Sequence, residues 1–246
     1  MTDSWVALRR LTQARIALGR AGHALPTQAQ LDFQLAHAQA RDAVHVPWNI
    51  EAFAGQVRNL GEEALILDTA VGSRDEYLRR PDLGRILSEA SRARLKNLRP
   101  GAADVALILT NGLSSTAVAR HGIPLLQAIR KAYRTRSFRL APVMLVSNGR
   151  VALSDDIGSA LAARVAVIIV GERPGLSAAD SLGIYLTFAP QPGTTDAARN
   201  CISSIRPPEG LGYEAAAAKL LFLTEEAIRR GLSGVALKDN LSGWLR

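Results

Sequence analysis

Residues Val165 to Val170 read VAVIIV, six aliphatic residues with no polar side-chain atom among them. Such a run has no face to offer to water. Its richness in Val and Ile and its stop at Gly171 predict a strand covered on both sides, as in a parallel sheet. The strand ends abruptly at Gly171-Glu172-Arg173-Pro174-Gly175. Pro174 excludes a continued ladder, and Gly175 permits a tight turn. A carboxylate, Glu172, is thereby set just past the carboxyl end of a buried strand. In open α/β sheets that edge is where ligands bind. The competing reading is a solvated turn glutamate.

The same rhythm runs through residues 101–246. Val105 to Leu109 is a short apolar run ending at Asn111-Gly112-Leu113-Ser114-Ser115, followed by a helical pattern through Ile129 and Tyr133. Val143 to Val146 is a second strand, ending at Asn148-Gly149-Arg150-Val151, with a helix expected over Asp155 to Ala163. Leu182 to Phe188 reads as a strand, Tyr213 to Arg230 as a helix, and Gly234 to Leu237 as a fifth strand. Strands alternating with helices over short loops predict an α/β fold with a mostly parallel sheet and helices on both faces.

The first hundred residues read differently. Trp5, Leu8 and Leu11 recur at helical spacing until Gly19 and Gly22 break the pattern. Thr27 with Gln30 has capping-box spacing, Leu31, Leu35 and Ala38 line one side of the expected helix, and Pro47 ends it. His37, Arg41 and His45 share another face. Two His eight residues apart, with no third ligand in sight, do not make a metal site. Ile50, Phe53, Val57 and Leu60 suit a second helix, with Leu65-Ile66-Leu67 after it. Tyr77 to Pro81 reads as a turn, and a further helix runs to about Leu98. Arg99-Pro100-Gly101 is a strong breaker. The expected division is a helical N-terminal region over 1–100 and a ligand-binding α/β domain over 101–246.

Composition excludes several classes. No window approaches the ~20 apolar residues that cross a bilayer, and Met1 to Arg10 lacks the apolar core of a signal peptide. The single cysteine, Cys201, excludes an internal disulfide and suits a reducing cytoplasm. The net charge is +8, yet the basic residues are scattered and only four of the 30 are Lys. That dispersed footprint argues against nucleic acid and leaves an acidic partner face as a use for the charge. There is no Walker loop, no GxGxxG after a strand, no Gly-x-Ser-x-Gly elbow and no HExxH. Asp155-Asp156 reads as helix N-terminal charge. With no self-contained catalytic set, the chain fits the ligand-binding half of something larger. The alternatives are a non-catalytic α/β binding or scaffold module, or a nucleotide-binding enzyme, the latter disfavoured by the missing glycine fingerprint.

Several segments together carry a resemblance. They are TQARIALGRAG and LPTQAQLDFQLAHAQARDAV near the N-terminus, NGLSS, NGRVALSDDIG, and the long stretch from VGERPGLSAADSLGIYLTF through RNCISSIRPPEGLGYEAAAAKLLFL. In order and spacing they are similar to the small subunit (light chain) family of ethanolamine ammonia-lyase, from about Leu11 to Gly234. The resemblance implies an adenosylcobalamin-dependent lyase that converts ethanolamine to acetaldehyde and ammonia by a radical mechanism. It implies a large-subunit partner whose barrel holds the substrate. The small subunit would supply a Rossmann-like wall, with the cofactor between the two, and would not act alone.

Carried over by motif, the cobalamin contacts fall on Val151, Glu172 and Cys201. No catalytic residue and no metal ligand is assigned to this chain. None of His23, His37, His45 or His121 lies in an Asp-x-His-x-x-Gly context, so the cofactor is expected base-on, without a cobalt ligand from this chain. Asn111 stands where the family's Asp-Gly-Leu-Ser turn has Asp, which removes a charge there. The expected location is the cytoplasm. About ten residues precede the first family motif, so packaging in a bacterial microcompartment is left open.

Overall fold

The computed structural model describes residues 4–98 and 103–240. Its strands are β1 (Ala64–Asp68), β2 (Val105–Thr110), β3 (Val143–Ser147), β4 (Val165–Gly171), β5 (Leu182–Phe188) and β6 (Arg199–Ile205). The helices are α1 (Thr27–His45), α2 (Ile50–Asn59), α3 (Arg74–Arg79), α4 (Glu89–Asn97), α5 (Ser115–Tyr133), α6 (Leu153–Ala160) and α7 (Tyr213–Arg230). The strands make one sheet in the order β1-β3-β2-β4-β5-β6. The ladders joining β1, β3, β2 and β4 are parallel, and β5 and β6 are added antiparallel.

The apolar runs are buried because each face of the sheet has its own helical layer. Val165, Val167 and Ile169 of β4 point into a core with Phe53 and Val57 of α2, Leu125 and Ile129 of α5, and Leu220 and Leu223 of α7. The alternate residues Ala166 and Ile168 point the other way, against Leu95 of α4 and Leu153 and Ile157 of α6. The small residue at 166 matters. A Cβ added to Gly158 of α6 would lie 2.9 Å from the Ala166 Cβ, so helix and strand meet at a distance that glycine permits. The expectation of a mostly parallel sheet with helices on both faces holds.

Several local expectations need correction. Ala64–Asp68 is a strand paired with β3, so the described residues before 99 contribute one edge strand of the sheet besides their helices. The breaker Arg99-Pro100-Gly101 lies outside the described residues. Thr27 is the first residue of α1, not its cap; Pro26 holds the cap position without a side-chain bond, so no capping box forms. Leu31 and Leu35 are 53% and 60% exposed, and the buried residues of α1 are Ala36 and Ala43. The segment read as a turn at Tyr77 is α3, capped by Ser73 Oγ accepting from the Glu76 N–H, with Tyr77 buried.

In the C-terminal half, α6 starts at Leu153 and stops at Ala160, earlier than the expected Ala163. Gly234–Ala236 is a single 3-10 turn rather than a strand. Asn200 holds that turn from β6, accepting from the Gly234 N–H and donating to the carbonyls of Gly234 and Leu237. β6 itself replaces it as the edge strand. Arg199, Asn200, Ser203 and Ser204 give β6 too polar a face to read as a buried run.

Candidate functional site

Chain order and sheet order diverge around β2. From β2 the chain passes through α5 to β3 on one side, then through α6 to β4 on the other. The carboxyl ends of β2 and β4 therefore flank a topological switch point, the place where an open α/β sheet leaves a crevice. Two glycines set how close its walls come. A Cβ on Gly112 would lie 2.3 Å from Val170 Cγ2, and one on Gly171 would lie 2.2 Å from the Ser114 carbonyl oxygen. Gly112 also has a φ of +48°, and the Leu113 N–H donates to the Gly171 carbonyl at 3.0 Å. No side chain fits in either place.

Asn111 is buried beside these glycines and satisfied at both ends of its amide. Its Oδ1 accepts from the Asn148 backbone N–H at 2.7 Å, and its Nδ2 donates to Ser115 Oγ at 3.1 Å. The Asn148 side chain in turn accepts from Arg74 Nη1, which also donates to the Gly112 carbonyl. Arg74 Nε reaches the Val44 carbonyl at the end of α1. The loops after β2 and β3 are thus tied together by neutral amides and one arginine.

Glu172 leaves β4 at this edge, and its carboxylate is held by its own chain. Ser181 Oγ donates to Oε2 at 2.6 Å and Ser203 Oγ donates to Oε1 at 2.6 Å. The Ser204 N–H lies 3.3 and 3.4 Å from the two oxygens. Those donors converge because β6 bulges. Leu182 faces Ile205 and Ile184 faces Ile202, so one stretch of β6 carries an extra residue, and Ser204 sits at a φ of +61°. Gly183 leaves room for the carboxylate, since a Cβ there would come within 2.9 Å of Oε1. The competing reading of a loosely solvated turn residue does not fit a carboxylate gripped by these groups.

Two joined clefts open at this edge. One, of about 330 Å³, is lined among others by Tyr77, Val151, Glu172, Arg173, Tyr185 and Ser203. The second, of about 440 Å³, shares Arg150, Val151 and Tyr185 with the first and adds Arg85, Thr194, Thr195 and Asp196. Val151 stands where they meet. Its carbonyl is spent on Ser154, accepting from both its N–H and its Oγ, and its half-buried side chain packs against the core beside α6. Tyr77 anchors the wall by donating its hydroxyl to the Gly149 carbonyl at 3.2 Å.

Cys201 lies one strand further out, paired with Tyr185 across the β5–β6 ladder. It is exposed on β6, yet burial of the thiol raises its pKa, against the opposing pull of a hydrogen bond with Tyr185. Burial, ahead of the neighbouring Cys201 and Glu172, pushes Tyr185 up to about 12. Both groups are therefore protonated at neutral pH, and Cys201 lacks the lowered pKa of a nucleophile.

Val151 and Glu172 thus line one cleft, and Cys201 adjoins it through Tyr185. Tyr77, Arg150, Arg173, Tyr185 and Ser203 also border the clefts and were not singled out from sequence. A period of two from Cys201 to Ser203 on a recognised strand would have pointed to the latter. Asp155 was read as helix N-terminal charge. It does lie in the first turn of α6, and there it is also buried in a bidentate ion pair with Arg199, both bonds at 2.7 Å. Among the described residues no group of three or more His, Cys, Asp or Glu is arranged to hold a metal ion, and no helix is long and apolar enough to cross a membrane.

With this geometry in hand, comparison with known proteins is informative. The family model described as ethanolamine ammonia-lyase light chain (EutC) matches residues 2–238. An ethanolamine ammonia-lyase small subunit from Ralstonia nicotianae is 55% identical over 240 residues, 96% of this chain and 88% of that protein. The one from Azotobacter vinelandii is equally similar, at 55% identity over the same shares. The one from Pseudomonas syringae pv. tomato is 51% identical over 96% of this chain and 83% of its own length. A match over nearly the whole chain, at this identity, shows that the chain belongs to the ethanolamine ammonia-lyase light chain family.

Proposed function

We propose that this chain is the small subunit of a two-subunit, adenosylcobalamin-dependent ethanolamine ammonia-lyase, and that its carboxyl-edge clefts form one wall of the cobalamin site. The observation that carries this is the convergence of Val151 and Glu172 on one crevice at the switch point, with the Glu172 carboxylate fixed by Ser181, Ser203 and Ser204. Adenosylcobalamin, when bound, supplies the radical chemistry that turns ethanolamine into acetaldehyde and ammonia. The residues present suit such a group. A corrinoid is a broad apolar ring fringed with amides. Val151, Val170 and Tyr185 offer apolar surface beside it, and the remaining acceptor capacity of Glu172 suits amide N–H donors.

The work of this chain is binding and orientation. Glu172 accepts hydrogen bonds from a fixed position, and Val151 packs. Cys201 fits against the ligand as a small protonated thiol rather than acting as a nucleophile. The substrate site belongs to the large subunit. The N-terminal region supports a docking role, since Leu11, Leu25, Leu31, Phe33 and Leu35 are all exposed there. Apolar surface of this kind marks an interaction face, and we assign it to the large subunit.

The test is to co-express the chain with a large subunit, add adenosylcobalamin, and pass the mixture over a sizing column. A corrin spectrum should travel with the two-subunit complex, and acetaldehyde should form from ethanolamine only there. A complex that forms but retains no corrin, or deamination by the isolated chain, would overturn the proposal.

A further inference from the structure

The two clefts carry a chemical signal beyond Val151, Glu172 and Cys201. Arg85 and Arg150 line the second cleft, and Arg150 and Arg173 line the first. Several arginines elsewhere in the chain pair with carboxylates, as Arg120 does with Asp180 and Arg92 with Asp156. Neither Arg85 nor Arg150 has a carboxylate within 4 Å among the described residues. Arg150 instead lies beside the Tyr77 hydroxyl, where its charge opposes the burial that raises the Tyr77 pKa. Among the described residues the only carboxylate bordering the second cleft, Asp196, has its side chain 97% exposed and lies 3.5 Å from Arg199.

The two residues are also brought together by construction. The Arg150 backbone N–H donates to the Gly84 carbonyl at 2.8 Å, which clasps the residue before Arg85 to Arg150. That approach needs a glycine, because a Cβ on Gly84 would fall 2.6 Å from the Asn148 carbonyl oxygen and 2.7 Å from the Tyr77 ring. Two unpaired arginines on adjoining backbones form a positive corner in a cleft otherwise lined by Val151, Ala152, Tyr185 and two threonines. Planar guanidinium groups match phosphate oxygens in charge and geometry.

We infer that Arg85 and Arg150 form an anion subsite that receives a phosphodiester group of the bound ligand. This rests on the proposed cobalamin reading, under which the group is the phosphodiester of the nucleotide tail, the one anionic substituent among neutral amides. The ligand then has a fixed orientation: tail toward Arg85 and Arg150, ring amides toward Glu172.

The experiment compares adenosylcobalamin with adenosylcobinamide, which lacks the nucleotide tail and its phosphodiester. Each is titrated into the two-subunit complex carrying wild-type, Arg85→Gln or Arg150→Gln small subunit, with affinity read from the corrin spectrum. The variants should weaken cobalamin by roughly ten- to a hundred-fold and leave cobinamide within about twofold, since only cobalamin loses a charge-assisted bond. The wild-type preference for cobalamin should also shrink as salt rises. Equal weakening of both corrinoids, or no change in either, would overturn the subsite while leaving the cobalamin reading standing. A wild-type complex that binds neither corrinoid would overturn both. Arg85→Gln keeps the test secure if Arg150→Gln fails to fold, because Arg85 is exposed and makes no described ion pair.

Discussion

At the scale of single residues, Glu172 shows what sequence can and cannot reveal. Its place was legible, because six aliphatic residues followed by a Gly and a nearby Pro fix a strand end. Its cage was not, since Ser181 and Ser203 lie on other segments and meet it through sheet register. An ionised carboxylate has about four acceptor positions. Two serine hydroxyls and one backbone N–H occupy three of them, which fixes its direction and leaves about one position for a ligand donor. Glu172→Ala should weaken adenosylcobalamin binding to the two-subunit complex roughly ten- to a hundred-fold, the worth of one charge-assisted hydrogen bond. Glu172→Gln should lose less, because its amide oxygen still accepts. Turnover at saturating cofactor should change little in both, as a titration with parallel acetaldehyde assays would show. Asn111 is the residue-scale counterpart: an uncharged amide serves there because it both donates to Ser115 and accepts from the Asn148 N–H.

At the scale of elements, strands made of continuous apolar residues were legible and β6 was not. β6 earns its place through polar contacts that the pattern cannot show. Its Arg199 forms a buried pair with Asp155, each side chain 2% exposed, and Thr187 Oγ1 and the Thr194 carbonyl accept further bonds. The pair pins β6 to the first turn of α6, so it joins the strand of Cys201 to the helix that follows Val151. Removing one partner leaves a buried charge alone, which typically costs about 3–5 kcal/mol. Arg199→Ala or Asp155→Ala should lower unfolding stability by about that amount. The pair Asp155→Leu with Arg199→Met should recover part of the loss in a denaturant titration.

α5 offers a pH test at the same scale. His121 is buried, with Nδ1 2.7 Å from the Tyr213 hydroxyl and Nε2 3.3 Å from Asp180. A neutral ring satisfies both, with Nε2 donating to Asp180 and Nδ1 accepting from Tyr213. Burial pushes its pKa down, and Asp180 only partly opposes that. The unfolded chain then binds the proton more readily than the folded one. Stability is lost as pH falls below the ordinary value of 6.5 and toward the depressed folded value. Thermal melts should therefore fall more steeply on acidification for wild type than for His121→Gln; parallel curves would contradict this.

At the scale of the whole molecule, the alternation of strands and helices in the C-terminal half was legible from periodicity. The join between the halves was not. β1 comes from the N-terminal portion yet forms the edge of the same sheet, because Leu65-Ile66-Leu67 is too short a run to distinguish from a helix end. The exposed leucines of α1 also misled, since periodicity reports an apolar face without saying whether its cover is this chain or another. The result is a molecule with a covered sheet, an apolar N-terminal face, and a carboxyl edge that brings Val151, Glu172 and the arginines together.

The most direct measurement is hydrogen–deuterium exchange of the two-subunit complex with and without adenosylcobalamin. If this edge is one wall of the cobalamin site, binding should slow exchange in this chain at 148–152, 172–174 and 199–204. The opposite edge, around 104, 139 and 164, should be unchanged. Protection confined to that opposite edge, or to the large subunit alone, would contradict it.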